Sequence, residues 1–163
     1  HRDDFHLEFN DDQLESTRLD DGAMLSLKNA ETIAFNSGET VVIAHNQMEA
    51  IVARLAHSFF DRDATAEEWQ LGREALKAEV NLDGILAWFQ QNAGLDTVSD
   101  KDYVQTIYTR TLGRSATEDE LNLQLSRLGN NQVDRSELSV EIAGSAEAAT
   151  HLIGSVMLQD GWV

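Results

Sequence analysis

Two periodicities divide the chain. Over the first 45 residues apolar and polar positions alternate in short runs: Phe5-His6-Leu7-Glu8-Phe9, part of Met24-Leu25-Ser26-Leu27, and Thr32-Ile33-Ala34-Phe35. A β-branched run follows at Thr40-Val41-Val42-Ile43-Ala44. Asn10-Asp11-Asp12, Asp20-Asp21-Gly22 and Asn36-Ser37-Gly38 fall between the runs as turn formers. A period of two broken by Asn, Asp and Gly predicts β-strands, here a small antiparallel segment. From Asn46 the period changes. Met48, Ile51, Val52, Leu55 and Phe59 recur three and four positions apart, the mark of an amphipathic helix. The same spacing predicts helices over about 66–79, 82–92, 100–112, 118–129, 135–144 and 146–158, and Gly94, Gly113 and Gly129 fall where helices stop. The expected fold is mainly α with a small N-terminal antiparallel β segment (α+β): a β segment at 1–45 and an all-helical domain at 46–163.

The helical region matches itself. "FDRDATAEEW" at 60–69 and "LGRSATEDEL" at 112–121 share Arg, Ala-Thr, an acid, Glu and an apolar residue in register, 52 positions apart. The same shift carries Val52 onto Val104, Leu55 onto Ile107, Leu71 onto Leu123 and Leu76 onto Leu128. One inserted residue then aligns Ile85 with Leu138 and Phe89 with Ile142. Two copies of a three-helix unit, about 46–97 and 98–158, are therefore expected. Within them Thr65-x-x-Glu68 and Thr117-x-x-Glu120 read as capping boxes, in which each side chain satisfies the other's free backbone N–H. Ser99-x-x-Asp102 and Asp134-x-x-Glu137 have the same spacing. A calcium loop of EF-hand type starting at Asp61 would need Gly and Glu where Ala66 and Gly72 stand.

"YTRTLGRSATEDELNLQL" and "VDRSELSVEIAGSAEAA" resemble a helical domain family of unknown function in bacterial type I-secreted and RTX surface proteins. The features that carry the resemblance are Tyr108, Leu112-Gly113-Arg114, Leu121 and Ser145-Ala146-Glu147, over roughly 46–158. The first copy has Phe60-Asp61-Arg62 in place of Leu-Gly-Arg, and of the family's Gly-Leu-x-Tyr-Trp only Leu121 is kept. Glu31-Thr32-Ile33-Ala34-Phe35-Asn36-Ser37-Gly38 looks like the closing strands of RTX-type β regions.

Charge narrows the partners. Twenty-nine acids against twelve bases give a net charge of -17 over 163 residues, a field that repels phosphate backbones and anionic lipid. Nucleic acid is thus not an expected partner, and no apolar run approaches the ~20 residues of a membrane span. The chain has no Cys, hence neither a disulfide framework nor a thiolate site. It opens on His1 rather than Met and lacks the apolar stretch of a signal peptide, so it is read as part of a longer chain with upstream domains.

Chemistry in this sequence is sparse. The paired acids Asp11-Asp12 and Asp20-Asp21, with Asp3-Asp4, recur at eight or nine residues and are the candidate calcium ligands. The calcium nonapeptide Gly-Gly-x-Gly-x-Asp is absent, which favours plain acidic turns between exposed strands. His1, His6, His45, His57 and His151 form no ligand spacing, and no nucleophile elbow, P-loop or dinucleotide fingerprint occurs. Phe59, Phe60, Trp69, Trp88, Phe89, Tyr103 and Tyr108 lie at helical spacing and are expected in the core. Asp160, Trp162 and Val163 resemble the tail of a type I secretion signal.

The expected function is non-catalytic: a C-terminal module of a larger secreted RTX-type protein, extracellular or at the cell surface. Its expected partners are the type I secretion apparatus or a cell-surface component. A surface-binding or assembly module, and an accessory domain of a secreted enzyme with its active site upstream, are the alternatives.

Overall fold

In the computed structural model, which describes residues 1–10, 13–77, 83–152 and 155–158, the alternating runs form two small sheets. The first is an antiparallel meander of β1 (Phe5–Asn10), β2 (Gln13–Arg18) and β3 (Met24–Lys28). Phe9 lies opposite Leu14 and Leu14 opposite Leu27, so their side chains share one face. β2 is not visible in the hydrophobic pattern, because Leu14 is its only large apolar residue and the other inward position is Ser16.

In the second sheet β4 (Thr32–Ala34) runs antiparallel to β5 (Thr40–Ala44), and β5 runs parallel to β6 (Val156–Leu158). β5 is covered on both faces, with Val41, Val42, Ile43 and Ala44 at most 1% exposed. Alternate side chains enter different cores. Val41 and Ile43 pack with Leu14, Leu7, Phe9, Leu27 and Met157. Val42 and Ala44 join the helical core together with Val156. Burying each large aliphatic side chain of this strand contributes roughly 1.5–3 kcal/mol.

The seven α-helices among the described residues are α1 (Gln47–Phe60), α2 (Ala66–Lys77), α3 (Asp83–Asn92), α4 (Asp100–Leu112), α5 (Glu118–Gly129), α6 (Arg135–Ala143) and α7 (Ala146–His151). α1 starts at Asn46, whose side chain accepts from the Glu49 N–H at 2.9 Å, and it is the central helix, touching α2, α3, α4, α6, β5 and β6. Small residues let neighbours come close. On α2 a Cβ at Gly72 would lie 2.7 Å from Val52 Cγ1. Tyr103 of α4 is fully buried; its hydroxyl donates to the Arg135 carbonyl at 3.0 Å and sits 2.7 Å from Ser139 Oγ, and burial pushes its pKa up to about 12.

The helix expected over 146–158 is shorter than its pattern. α7 ends at His151, and Val156–Leu158 form β6 instead. A short apolar run suits a doubly buried strand as well as a helix, and the open edge of β5 decides: Val42 N–H donates to the Ser155 carbonyl at 2.9 Å. The molecule is thus mixed α and β, with strand residues on both sides of the helical stretch.

Candidate functional site

The two acidic turns that stand out in the sequence have one construction. α1 ends on Asp61 and α4 on Gly113, both left-handed at φ 55° and φ 68°. This turns the chain so that the next residue, Arg62 or Arg114, reaches forward over the start of the following helix. Arg62 donates to both oxygens of Glu68 at 2.8 and 2.7 Å, and Arg114 to both of Glu120 at 2.8 Å. The same carboxylates accept from the Thr65 and Thr117 N–H groups at 2.9 and 2.8 Å. In return Thr65 Oγ1 accepts from Glu68 N at 3.2 Å and Thr117 Oγ1 from Glu120 N at 3.3 Å. Each guanidinium also lies over a ring of the preceding helix, Arg62 5.0 Å from Phe60 and Arg114 5.6 Å from Tyr108. The second turn adds Glu147 of α7, whose Oε2 accepts from Arg114 at 3.0 Å.

These acids are electrostatically settled. The Arg114 guanidinium, helped by the Thr117 N–H, lowers the Glu120 carboxyl to about 2. Arg62 lowers Glu68, and Arg114 lowers Glu147. A general acid at neutral pH needs a pKa raised toward 7, so the shift here runs the opposite way. Glu68 and Glu120 stay ionised, and each pins a loop and caps a helix start, where negative charge also suits the macrodipole. The other two cap sites differ slightly: Asp134 and Glu137 form the full reciprocal box, whereas the Asp102 carboxylate accepts from Ser99 Oγ at 2.7 Å.

Among the calcium candidates, Asp20 and Asp21 sit at the turn after β2 and both face Arg18, at 3.1 Å for Asp20 and 3.0 Å for Asp21. Asp21 also accepts from the Ala23 N–H at 3.0 Å; this bond and Arg18 lower its pKa. A cation is therefore already supplied there by the chain. Asp11 and Asp12 lie outside the described residues, as do Asp160, Trp162 and Val163. Among the described residues, no group of three or more His, Asp or Glu is placed to hold a metal ion. The histidines are scattered: His6 is 3.3 Å from Glu8, His1 3.3 Å from Glu39, and burial lowers the pKa of His57.

One expected core residue is at the surface. Trp69, Phe59, Phe89, Tyr103 and Tyr108 are buried, but Trp88 is 46% exposed. Its ring meets Phe60 edge-on at 6.2 Å and leans on Phe89 at 5.6 Å, while the outer side faces solvent beside Leu71, which is 61% exposed. Together with Gly72, Ala75 and Ile85 they line a groove of about 330 Å³ between α2 and α3. Spacing alone does not reveal it, since a helix with apolar residues on two faces reads the same whichever face the fold covers.

No curated protein and no solved structure matches the chain. Residues 86–152, from within α3 to the residue that caps α7, match the family model described as a domain of unknown function, DUF4214.

Proposed function

We propose that the helical part is a tandem of two three-helix units and that the chain is a non-catalytic module of a larger bacterial protein exported by a type I system. The observation that carries the tandem is a single shift. Adding 52 to the α2 start at Ala66 gives the α5 start at Glu118, and adding it to the α1 end at Phe60 gives the α4 end at Leu112. Asp61 moves onto Gly113, Arg62 onto Arg114 and Glu68 onto Glu120, and the hydrogen bonds move with them. Residues that repeat with their loop-pinning bonds hold an architecture together. That supports a packing role for the acids over a chemical one.

The exported setting draws its support from the RTX-like motifs and from the net charge of -17, whose self-repulsion keeps a chain loose until salt screens it. In this reading the partners are the secretion apparatus or a cell-surface component, and the site of action is outside the cell. The test is to fuse residues 1–163 to a reporter without an export signal, in a bacterium with and without a type I exporter. Exporter-dependent release of the reporter is expected. Retention in the cell, or equal release without the exporter, refutes the proposal. The exposed Trp88 and Leu71 favour a second reading, a surface-binding module. If it holds, Trp88→Ala abolishes adhesion to the producing cell's envelope while leaving the circular dichroism unchanged.

A further inference from the structure

α1 carries one cation on its buried side. Arg54 stands between Ala53 and Leu55 and is only 5% exposed. Among the described residues its guanidinium makes a single hydrogen bond, from Nη1 to the Ala143 carbonyl at a long 3.3 Å, and its buried Nε has no partner. No carboxylate among the described residues pairs with it. The other buried arginine, Arg73, differs in this respect, because it meets Glu31 and lies 3.6 Å from Glu49. A buried charge without a counter-ion is among the costlier arrangements in a protein interior, and removing one partner of a buried pair is strongly destabilising. Desolvation accordingly lowers the Arg54 pKa, with no acid opposing it.

Arg54 lines a cavity of about 580 Å³ between α1, β1, β6 and α7, a volume within the range of small-molecule sites. Most of the wall is apolar: Phe5 and Leu7 from β1, Val156 and Leu158 from β6, and Ala149 from α7. Arg2 and Asp3 also line it at the more exposed N-terminal end, and Arg2 lies 3.4 Å from Ser155 Oγ and 3.8 Å from the Asp63 carboxylate. His6 and Gln47 complete the polar part. The wall thus offers the Arg54 guanidinium, which no carboxylate among the described residues pairs, and a mainly apolar surface.

We propose that this cavity binds a small monocarboxylate with an apolar tail, its carboxylate paired with Arg54 and its tail against Phe5, Leu7, Val156 and Leu158. The guanidinium fork matches the two oxygens of a carboxylate. One anionic charge balances one cation, whereas a polyanion would meet the repulsive field of a chain at -17.

The experiment titrates the full chain with octanoate below its micelle concentration, following thermal melting and calorimetric heat. The controls are 1-octanol for the tail alone, acetate for the charge alone and octylammonium for the opposite charge. Saturable binding of octanoate is expected, with a rise in Tm that the three controls do not reproduce. Arg54→Met replaces the cation with an apolar chain and is expected to abolish the octanoate effect. Ala149→Leu narrows the cavity without touching the charge and is expected to weaken binding at least tenfold. Absence of saturable octanoate binding overturns the proposal, and so does octanol binding as tightly as octanoate. Undiminished binding by Arg54→Met overturns it too. If Arg54→Met does not fold, methyl NMR of the unaltered chain decides: shifts at Val156 and Leu158 on adding octanoate support the site, and shifts confined to residues elsewhere refute it.

Discussion

Gly72 and Val52 make a sharp test of how α2 seats on α1. Gly→Ala in the interior of a helix ordinarily stabilises by about 1 kcal/mol, because glycine loses more backbone freedom on folding. Here the added methyl would lie 2.7 Å from Val52 Cγ1, about an ångström inside the usual carbon–carbon contact of roughly 3.5–4.0 Å. Val52 is 3% exposed, and a β-branched side chain in a helix has essentially one rotamer, so it cannot turn away. Overpacking of this kind costs up to about 3 kcal/mol, which leaves Gly72→Ala destabilising by about 2 kcal/mol. Val52→Ala is itself destabilising, but it removes the obstructing atom. In that background Gly72→Ala recovers its helical advantage and stabilises by about 1 kcal/mol. Urea unfolding of the four proteins reads this directly, and for a chain of this size each kcal/mol moves Tm by about 2–4 °C. The same sign of effect in both backgrounds refutes the packing argument.

Two further outcomes are expected. Glu120 has a folded pKa of about 2 against an ordinary 4.5, so its contribution to stability is present above pH 4.5 and is lost as pH falls toward 2. The stability gap between the unaltered chain and Glu120→Gln should therefore be widest above pH 4.5 and close on acidification; thermal melts across that range check it, and a gap independent of pH refutes it. Calcium and magnesium should raise Tm equally, through screening alone, because Arg18 already faces Asp20 and Asp21. A saturable rise with calcium that magnesium does not match would assign the turn as a metal site.

What could be read from the sequence follows how local each feature is. The starts of α2 and α5 were legible because Thr65 with Glu68, and Thr117 with Glu120, bond within four residues of chain. The bidentate reach of Arg62 and Arg114 over those caps needs the left-handed residue before them, and at Asp61 no glycine marks it. β2 stayed hidden because its burial is supplied by neighbouring strands, through one Leu and one Ser. β6 read as helix because its pattern permits both, and its partner β5 lies far away in sequence. Trp88 and Arg54 are two of the inversions: an aromatic left outside and a cation taken inside. Both sit at helical spacing on amphipathic helices, and which face is covered depends on tertiary neighbours that spacing does not name.

The parallel pairing of β5 with β6 also sets an order of events during synthesis. Val42 pairs with Val156, 114 positions later in the chain. On the ribosome, β5 waits with one edge unpaired while all seven helices are made, and it gains its second neighbour only after residue 158 has emerged. Closing so long a loop comes late, because its entropy must be lost before the strand bonds repay it. Until then an apolar strand edge is open to any other nascent chain. Lys and Pro, the usual guards of such an edge, are absent from β5; the window in which this protein is prone to aggregate is thus fixed by the time the ribosome takes to travel from β5 to β6.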